Sequence, residues 1–174
     1  MVALLRGINV GGKGKLSMAK LREVAEGLGY EDVATFIQSG NLVLRTSRSA
    51  TQVEKDLAAA VSSLGGVKPA VLVRSRAQLA KVVAGNPFAK RPADEKSCHV
   101  VFCAKAAKPQ LDRLDLPSYA PEDARAIGKE LYLFLPGGMG RSKLAGDLAK
   151  DRSAVGTARS WRTVTKLLEM AEGL

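Results

Sequence analysis

Sulfur, imidazole and aromatic rings are scarce in this chain, which holds two cysteines, one histidine and 5% aromatic residues among 174. The cysteines, Cys98 and Cys103, sit in the strand-like stretch "SCHVVFCA". Their odd separation sends them to opposite faces of a strand, so they cannot bridge each other without breaking it. They are expected as free thiols in a reducing, cytoplasmic setting. His99 is the only imidazole, and its neighbour Cys98 points to the other side, so the two make a poor nucleophile pair. No cluster of His, Cys, Asp and Glu has the spacing of a metal site, and no cofactor is implied. Long apolar runs are missing as well. None approaches the roughly 18 residues of a membrane span. Arg6 interrupts the opening "MVALLRGINV" too early for a secretory signal. The membrane is not an expected partner.

Negative charge is also in short supply. Against 17 Asp and Glu stand 27 Lys and Arg, a formal net charge of +10 and a sequence pI of about 9.9. Such an excess attracts polyanions such as nucleic acid or phosphorylated metabolites, or else serves solubility alone. The charges are spread along the chain and form no basic tail. With 46% hydrophobic and 25% charged residues, the composition is that of an ordinary globular protein.

Hydrophobic periodicity gives an α+β fold. "VALLRG" (2–7) reads as a buried strand. Ser17 can cap a helix through 28, on which Leu21, Val24, Ala25 and Leu28 form one stripe, and Gly29 ends it. "VATFIQ" (33–38) and "NLVLRT" (41–46) read as a hairpin joined by the two residues Ser39 and Gly40. A second helix over 50–64 buries Val53, Leu57, Val61 and Leu64, and "AVLVRS" (70–75) is a further strand. The order βαββαβ is that of a ferredoxin-like sandwich. After a short helix (77–84) and a polar loop (85–96) the pattern restarts: strand "CHVVFCA", short helix "KPQLDRLD", hairpin "EDARAIG" and "ELYLFLP", helix "SKLAGDLAKD". "EDVATFIQSGNLVLRT" at 31–46 and "EDARAIGKELYLFL" at 122–135 share an order of elements at an offset of 91 residues, which points to an internal duplication. The chain closes on a helix from 158 to 172, capped by Thr157. The boundaries expected are 1–76 for the first unit, 77–96 for a connector and 97–174 for the second unit with its C-terminal helix, in one compact domain.

Two basic motifs stand out. "GINVGGKGK" (7–15) follows the first strand and precedes the first helix. It matches the spacing G-x-x-x-x-G-K, but Gly14 stands where a magnesium-binding Ser or Thr belongs, so it is no nucleotide-hydrolysing loop. In a βαββαβ unit the ends of strands one and two lie at the same sheet edge, about 10 Å apart with one strand between them. Asn9, Gly11, Gly12, Lys13 and Lys15 can therefore converge with Gln38, Ser39 and Asn41 of the hairpin "QSGN", beside the positive end of the first helix. The alternative is that the glycines serve only a wide turn. The second motif is "TARSWRT" (157–163). On a helix, Arg159, Arg162 and Lys166 form a basic stripe beside an apolar stripe of Trp161, Val164 and Leu168, with Trp161 as a core anchor. The arginines either bind phosphates or solvate the face.

"LLRGINVGGKGKLSM", "FIQSGNLVL" and "TARSWRTVTKLLE", with "NPF" (86–88) and "HVVF" (99–102) between them, resemble the bacterial domain-of-unknown-function family 1697 over essentially the whole chain. The resemblance implies two intertwined ferredoxin-like units with antiparallel sheets and helices on one face, and no established activity. Ser160 stands where the family pattern leads one to expect asparagine.

Three functions follow as expectations. The first is a non-catalytic domain that binds an anion or nucleic acid through loop 7–15, the 38–41 hairpin and the basic C-terminal helix. The second is an enzyme acting on a phosphorylated or carboxylated metabolite in a pocket at the same edge. The third is a self-associating scaffold, a homodimer whose sheet faces pair. Base stacking on the strand aromatics Phe36, Phe102, Tyr132 and Phe134 is a weak variant of the first, because no RNP-like signature surrounds them. The carboxylate pairs Glu31–Asp32 and Glu122–Asp123 open strands, where turn and cap roles account for them.

Overall fold

The computed structural model describes residues 1–9, 15–66, 68–91, 96–151 and 155–174. The chain divides into two compact units: unit 1 is Met1–Lys81 with Lys166–Leu174, and unit 2 is Val82–Thr165. The division between Lys81 and Val82 falls inside the stretch 77–96 expected as a connector, and the end of the C-terminal helix groups with unit 1.

In unit 1, β1 (Val2–Arg6), β2 (Glu31–Phe36), β3 (Asn41–Arg45) and β4 (Ala70–Arg74) form an antiparallel sheet in the order β2-β3-β1-β4. Helices α1 (Met18–Gly27) and α2 (Ala50–Ser63) connect β1 to β2 and β3 to β4. Period-2 alternation puts Ala3, Leu5, Leu42, Leu44, Val71 and Val73 on one face. They meet Leu21 and Ala25 of α1 and Val53, Leu57 and Val61 of α2 in one core. The opposite face, with Val2, Leu4, Val43 and Leu72, is buried too. Ser17 and Ser49 cap the two helices by accepting from the Lys20 and Gln52 N–H groups. Leu64 lies past the end of α2 and is exposed, so it is not part of the buried stripe.

In unit 2, β5 (Cys98–Cys103), β6 (Asp123–Ile127), β7 (Glu130–Phe134) and β8 (Gly156–Ser160) repeat the topology as β6-β7-β5-β8, all antiparallel. Helices α4 (Lys108–Leu111) and α5 (Lys143–Ala149) take the places of α1 and α2. Leu111, Leu144 and Leu148 cover Cys103, Ala124, Leu131 and Leu133. Helix α3 (Arg76–Ala84) follows β4, and α6 (Trp161–Glu172) follows β8. The expected fold class, two ferredoxin-like βαββαβ units, is the one observed.

Two expectations are corrected. The first hairpin turns through four residues, Ile37–Gly40, between Phe36 and Asn41, not through two. The expected helix 158–172 begins only at Trp161, because Gly156–Ser160 pair with β5 as the last strand of the second sheet. Thr157 is therefore no cap. Ser160 takes that role, with its Oγ 3.4 Å from the Thr163 N–H. Trp161 is half-buried, and the buried apolar face of α6 is Val164, Leu167 and Ala171.

The duplication extends to side chains. β4 ends at Arg74, followed by Ser75, and β8 ends in Arg159-Ser160; a helix follows each. Both arginines are buried and donate from Nη1 to the preceding carbonyl, Val73 at 3.0 Å and Ala158 at 2.8 Å. Both serines accept from the N–H three residues on. Tyr30 and Tyr119, each just before the second strand of its unit, donate to Asp56 of α2 and Asp147 of α5.

Candidate anion-binding edge

The glycine-lysine loop leaves β1 through Gly7 (φ 83) and Asn9 (φ 52). The left-handed backbone turns the Asn9 amide inward, a conformation asparagine tolerates better than most residues. Its Nδ2 donates to the carbonyls of Leu16 and Gln38, both at 2.8 Å, and its Oδ1 accepts from the Leu16 N–H at 2.9 Å. Asn9 thus closes the base of the loop and ties it to the hairpin. Both amide N–H groups are spent in doing so, which makes Asn9 a positioning residue. Gly11, Gly12 and Lys13 lie outside the described residues.

The hairpin is held by its own side chains. Asn41 is fully buried and donates to the Phe36 carbonyl and to Ser39 Oγ, each at 2.9 Å. Gly40 has φ 74, and its carbonyl accepts from the Leu5 N–H at 2.8 Å. A Cβ there would stand 2.6 Å from Ile8 Cδ1 and 2.9 Å from Leu5 Cβ, so only glycine fits. Ser39 and Asn41 therefore serve the turn. Gln38 is exposed at this edge. Ile37 beside it has φ 49 and is 52% exposed, an uncommon conformation for a β-branched residue.

Lys15 is exposed at the other end of the loop, two residues before the cap of α1. A concavity of about 340 Å³ opens there, flanked by Lys15, Ser17 and Lys20 and floored by Leu16, Val61 and Leu64. Its lining includes the end of α2 and no residue of the hairpin. Lys20 and the α2 wall escaped sequence reading, although a lysine in the first turn of a capped helix is a readable signal. Lys20 pairs with Glu23 at 2.9 Å, with both side chains at least half exposed, a contact worth little against solvent.

The second basic motif does not join this edge as a stripe. Arg159 sits on β8, 7% exposed, and donates to Thr157 Oγ1 at 2.6 Å. Burial lowers its pKa to about 10. Arg162 is exposed on the first turn of α6. A strand residue and a helix residue do not share a helical face, so the expected stripe of Arg159, Arg162 and Lys166 is not formed.

The strand aromatics present no exposed row for base stacking: Phe102, Tyr132 and Phe134 are buried and Phe36 is half-buried. The Nδ1 of His99 is buried and has no hydrogen-bond partner among the described residues. Burial holds this imidazole below its ordinary value, so it is neutral near pH 7. Among the described residues no group of three or more His, Cys, Asp and Glu can hold a metal ion, and no helix is long and apolar enough to cross a membrane.

Residues 1–132 match the model of a family described as a protein of unknown function, DUF1697. The chain belongs to the DUF1697 family. The loop, the hairpin and β6 all fall inside the matched segment, whereas β8 and α6 lie beyond it. A solved structure, that of the conserved bacterial protein SP0830 from Streptococcus pneumoniae, is similar with a TM-score of 0.72 at 23% identity, over 98% of this chain and 97% of that one. At that identity the likeness shows a shared fold across the DUF1697 chain. A comparison with curated proteins gives no match.

Proposed function

We propose that unit 1 is a non-catalytic binding module for a small polyvalent anion, held at the edge where the glycine-lysine loop meets α1. The observation that carries this reading is the concavity of about 340 Å³ flanked by Lys15 and Lys20, beside the capped start of a ten-residue helix. Two mobile ammonium groups suit the delocalised charge of a phosphate, pyrophosphate or polycarboxylate. The positive end of α1 adds to their field. Asn9 and the hairpin keep the base of the loop fixed, which lowers the ordering cost of binding.

Single-stranded nucleic acid offers the same phosphate chemistry, but three of the four strand aromatics are buried and only Phe36 is partly open to stacking. Titration with inorganic pyrophosphate and, separately, with labelled single-stranded and duplex oligonucleotides at several salt concentrations tests the reading. Saturable pyrophosphate binding that falls about tenfold or more in a Lys15→Ala/Lys20→Ala variant is expected. Oligonucleotide binding near physiological salt with a steep log–log slope, and no pyrophosphate binding, would overturn it in favour of a nucleic-acid surface.

A further inference from the structure

A second concavity, of about 520 Å³, lies wholly within unit 2 and is independent of the edge in unit 1. Its walls are apolar, formed by Leu116, Pro117, Pro121 and Phe134. At one end stand two guanidiniums that share a single carboxylate. Arg91 Nη2 and Arg125 Nη1 each lie 2.5 Å from an oxygen of Asp123. The Ala124 N–H donates to Asp123 as well, at 2.8 Å. Asp123 is therefore saturated and its side chain only 14% exposed. The Arg91 guanidinium also lies over the rings of Phe88 and Phe134, at 4.9 and 4.8 Å from their centroids.

The two arginines hold each other's position through Asp123, so that two guanidiniums face one carboxylate at this end of the cavity. Glu122 also borders the cavity, but its carboxylate accepts from the Leu144 N–H in the first turn of α5. Arg91 spends Nη2 on Asp123, and Arg125 spends Nη1 on Asp123 and on the Ala124 carbonyl. The other N–H donors of both forks can serve a ligand. The corresponding strand in unit 1 has the opposite balance: Glu31 and Asp32 share Arg45. In the second copy a pair of guanidiniums sharing one carboxylate meets an apolar hollow of ligand size.

We infer that this cavity binds a small amphipathic carboxylate, a monoanion with a compact apolar or aromatic body. The carboxylate is received by the Arg91–Arg125 pair in fork geometry, and the body packs against Phe134 and the two prolines. A bare phosphate lacks the body, and a neutral analogue lacks the charge, so both halves of the ligand are needed.

Phenylacetate, its neutral amide and inorganic phosphate serve as probes, titrated into the full chain by calorimetry or by NMR shift mapping. Phenylacetate is expected to saturate with a dissociation constant of about 1 mM or tighter, and the other two to bind at least about tenfold more weakly. Arg125→Gln should weaken phenylacetate about tenfold or more with an unchanged melting temperature. Arg125 is the choice because its side chain is 53% exposed, whereas Arg91 also packs on two rings. Ala120→Trp, at an exposed position on the rim, should fill the hollow and abolish binding. Lack of saturation at about 10 mM, equal affinity for phosphate, or unchanged affinity in Arg125→Gln overturns the inference. None of these results bears on Lys15 or Lys20, so the two sites stand or fall separately.

Discussion

Gly40 and Asn9 show how a polar, glycine-rich string can belong to the scaffold. The string "QSGN" has small polar side chains at a sheet edge, the composition of a ligand-binding turn. In the fold, Asn41 and Ser39 bond within their own turn, and Gly40 is required by contact with Ile8 and Leu5. A sequence lists donors and acceptors but not their partners, so these residues were legible as important and not as structural. Ser17 was legible in full, because a helix cap depends only on residues one turn away. Tyr132 was legible only as a strand aromatic. Its hydroxyl donates to the Val82 carbonyl at 3.0 Å, and burial, with a smaller push from Glu130, raises its pKa to about 12. The folded protein thus holds this proton more tightly than the unfolded chain, whose tyrosine titrates near 10. The stabilisation is complete below about pH 10 and is lost as pH rises toward 12. Urea denaturation between about pH 9 and 12 should show a decline of about 2–3 kcal/mol from this group. Tyr132→Phe should flatten that decline.

The strands and helices of the first unit could be read because their apolar periods are strong and their ends carry Ser, Gly or both. β8 could not. "GTARS" is short, has weak strand character and runs straight into a helix, and Arg159, Arg162 and Lys166 happen to share helical spacing. Only its pairing with β5 reveals it, a contact more than fifty residues away in sequence. Edge strands raise a different issue. β4 lies at the edge of the first sheet, and Glu54 of α2 occupies one of its N–H groups, accepting from Val73 at 2.8 Å. A carboxylate placed there also discourages another strand from docking. Glu54→Ala should cost about 1–2 kcal/mol in chemical denaturation, through the N–H left unmet. It should also raise self-association measured by light scattering. A variant that stays monomeric at full stability would show that the contact does nothing for the edge.

Each unit repeats one plan: two helices over four antiparallel strands, a tyrosine–aspartate bond into the second helix, and a buried Arg followed by a capping Ser at the end of the last strand. The duplication was visible in the sequence as an order of elements. Its side-chain markers were not, since Arg-Ser pairs are too common to notice without the strands that carry them. The plan is modified in the ion pairs around the second strand, where two carboxylates share one guanidinium in the first copy and two guanidiniums share one carboxylate in the second. Lys166–Leu174 belong to unit 1 and bring it the buried Leu167 and Ala171. Deleting Lys166–Leu174 should therefore lower protection from hydrogen exchange in β1–β4 and α1–α2 far more than in β5–β7. Equal loss in both units would contradict the division.

That arrangement has a consequence for synthesis. Domains usually fold in the order in which they leave the ribosome, the N-terminal one first. Here the leading unit lacks its last helical segment until every residue of the following unit has been translated. The second sheet can close while the first unit still lacks that helical segment, although all four strands of its own sheet are already made.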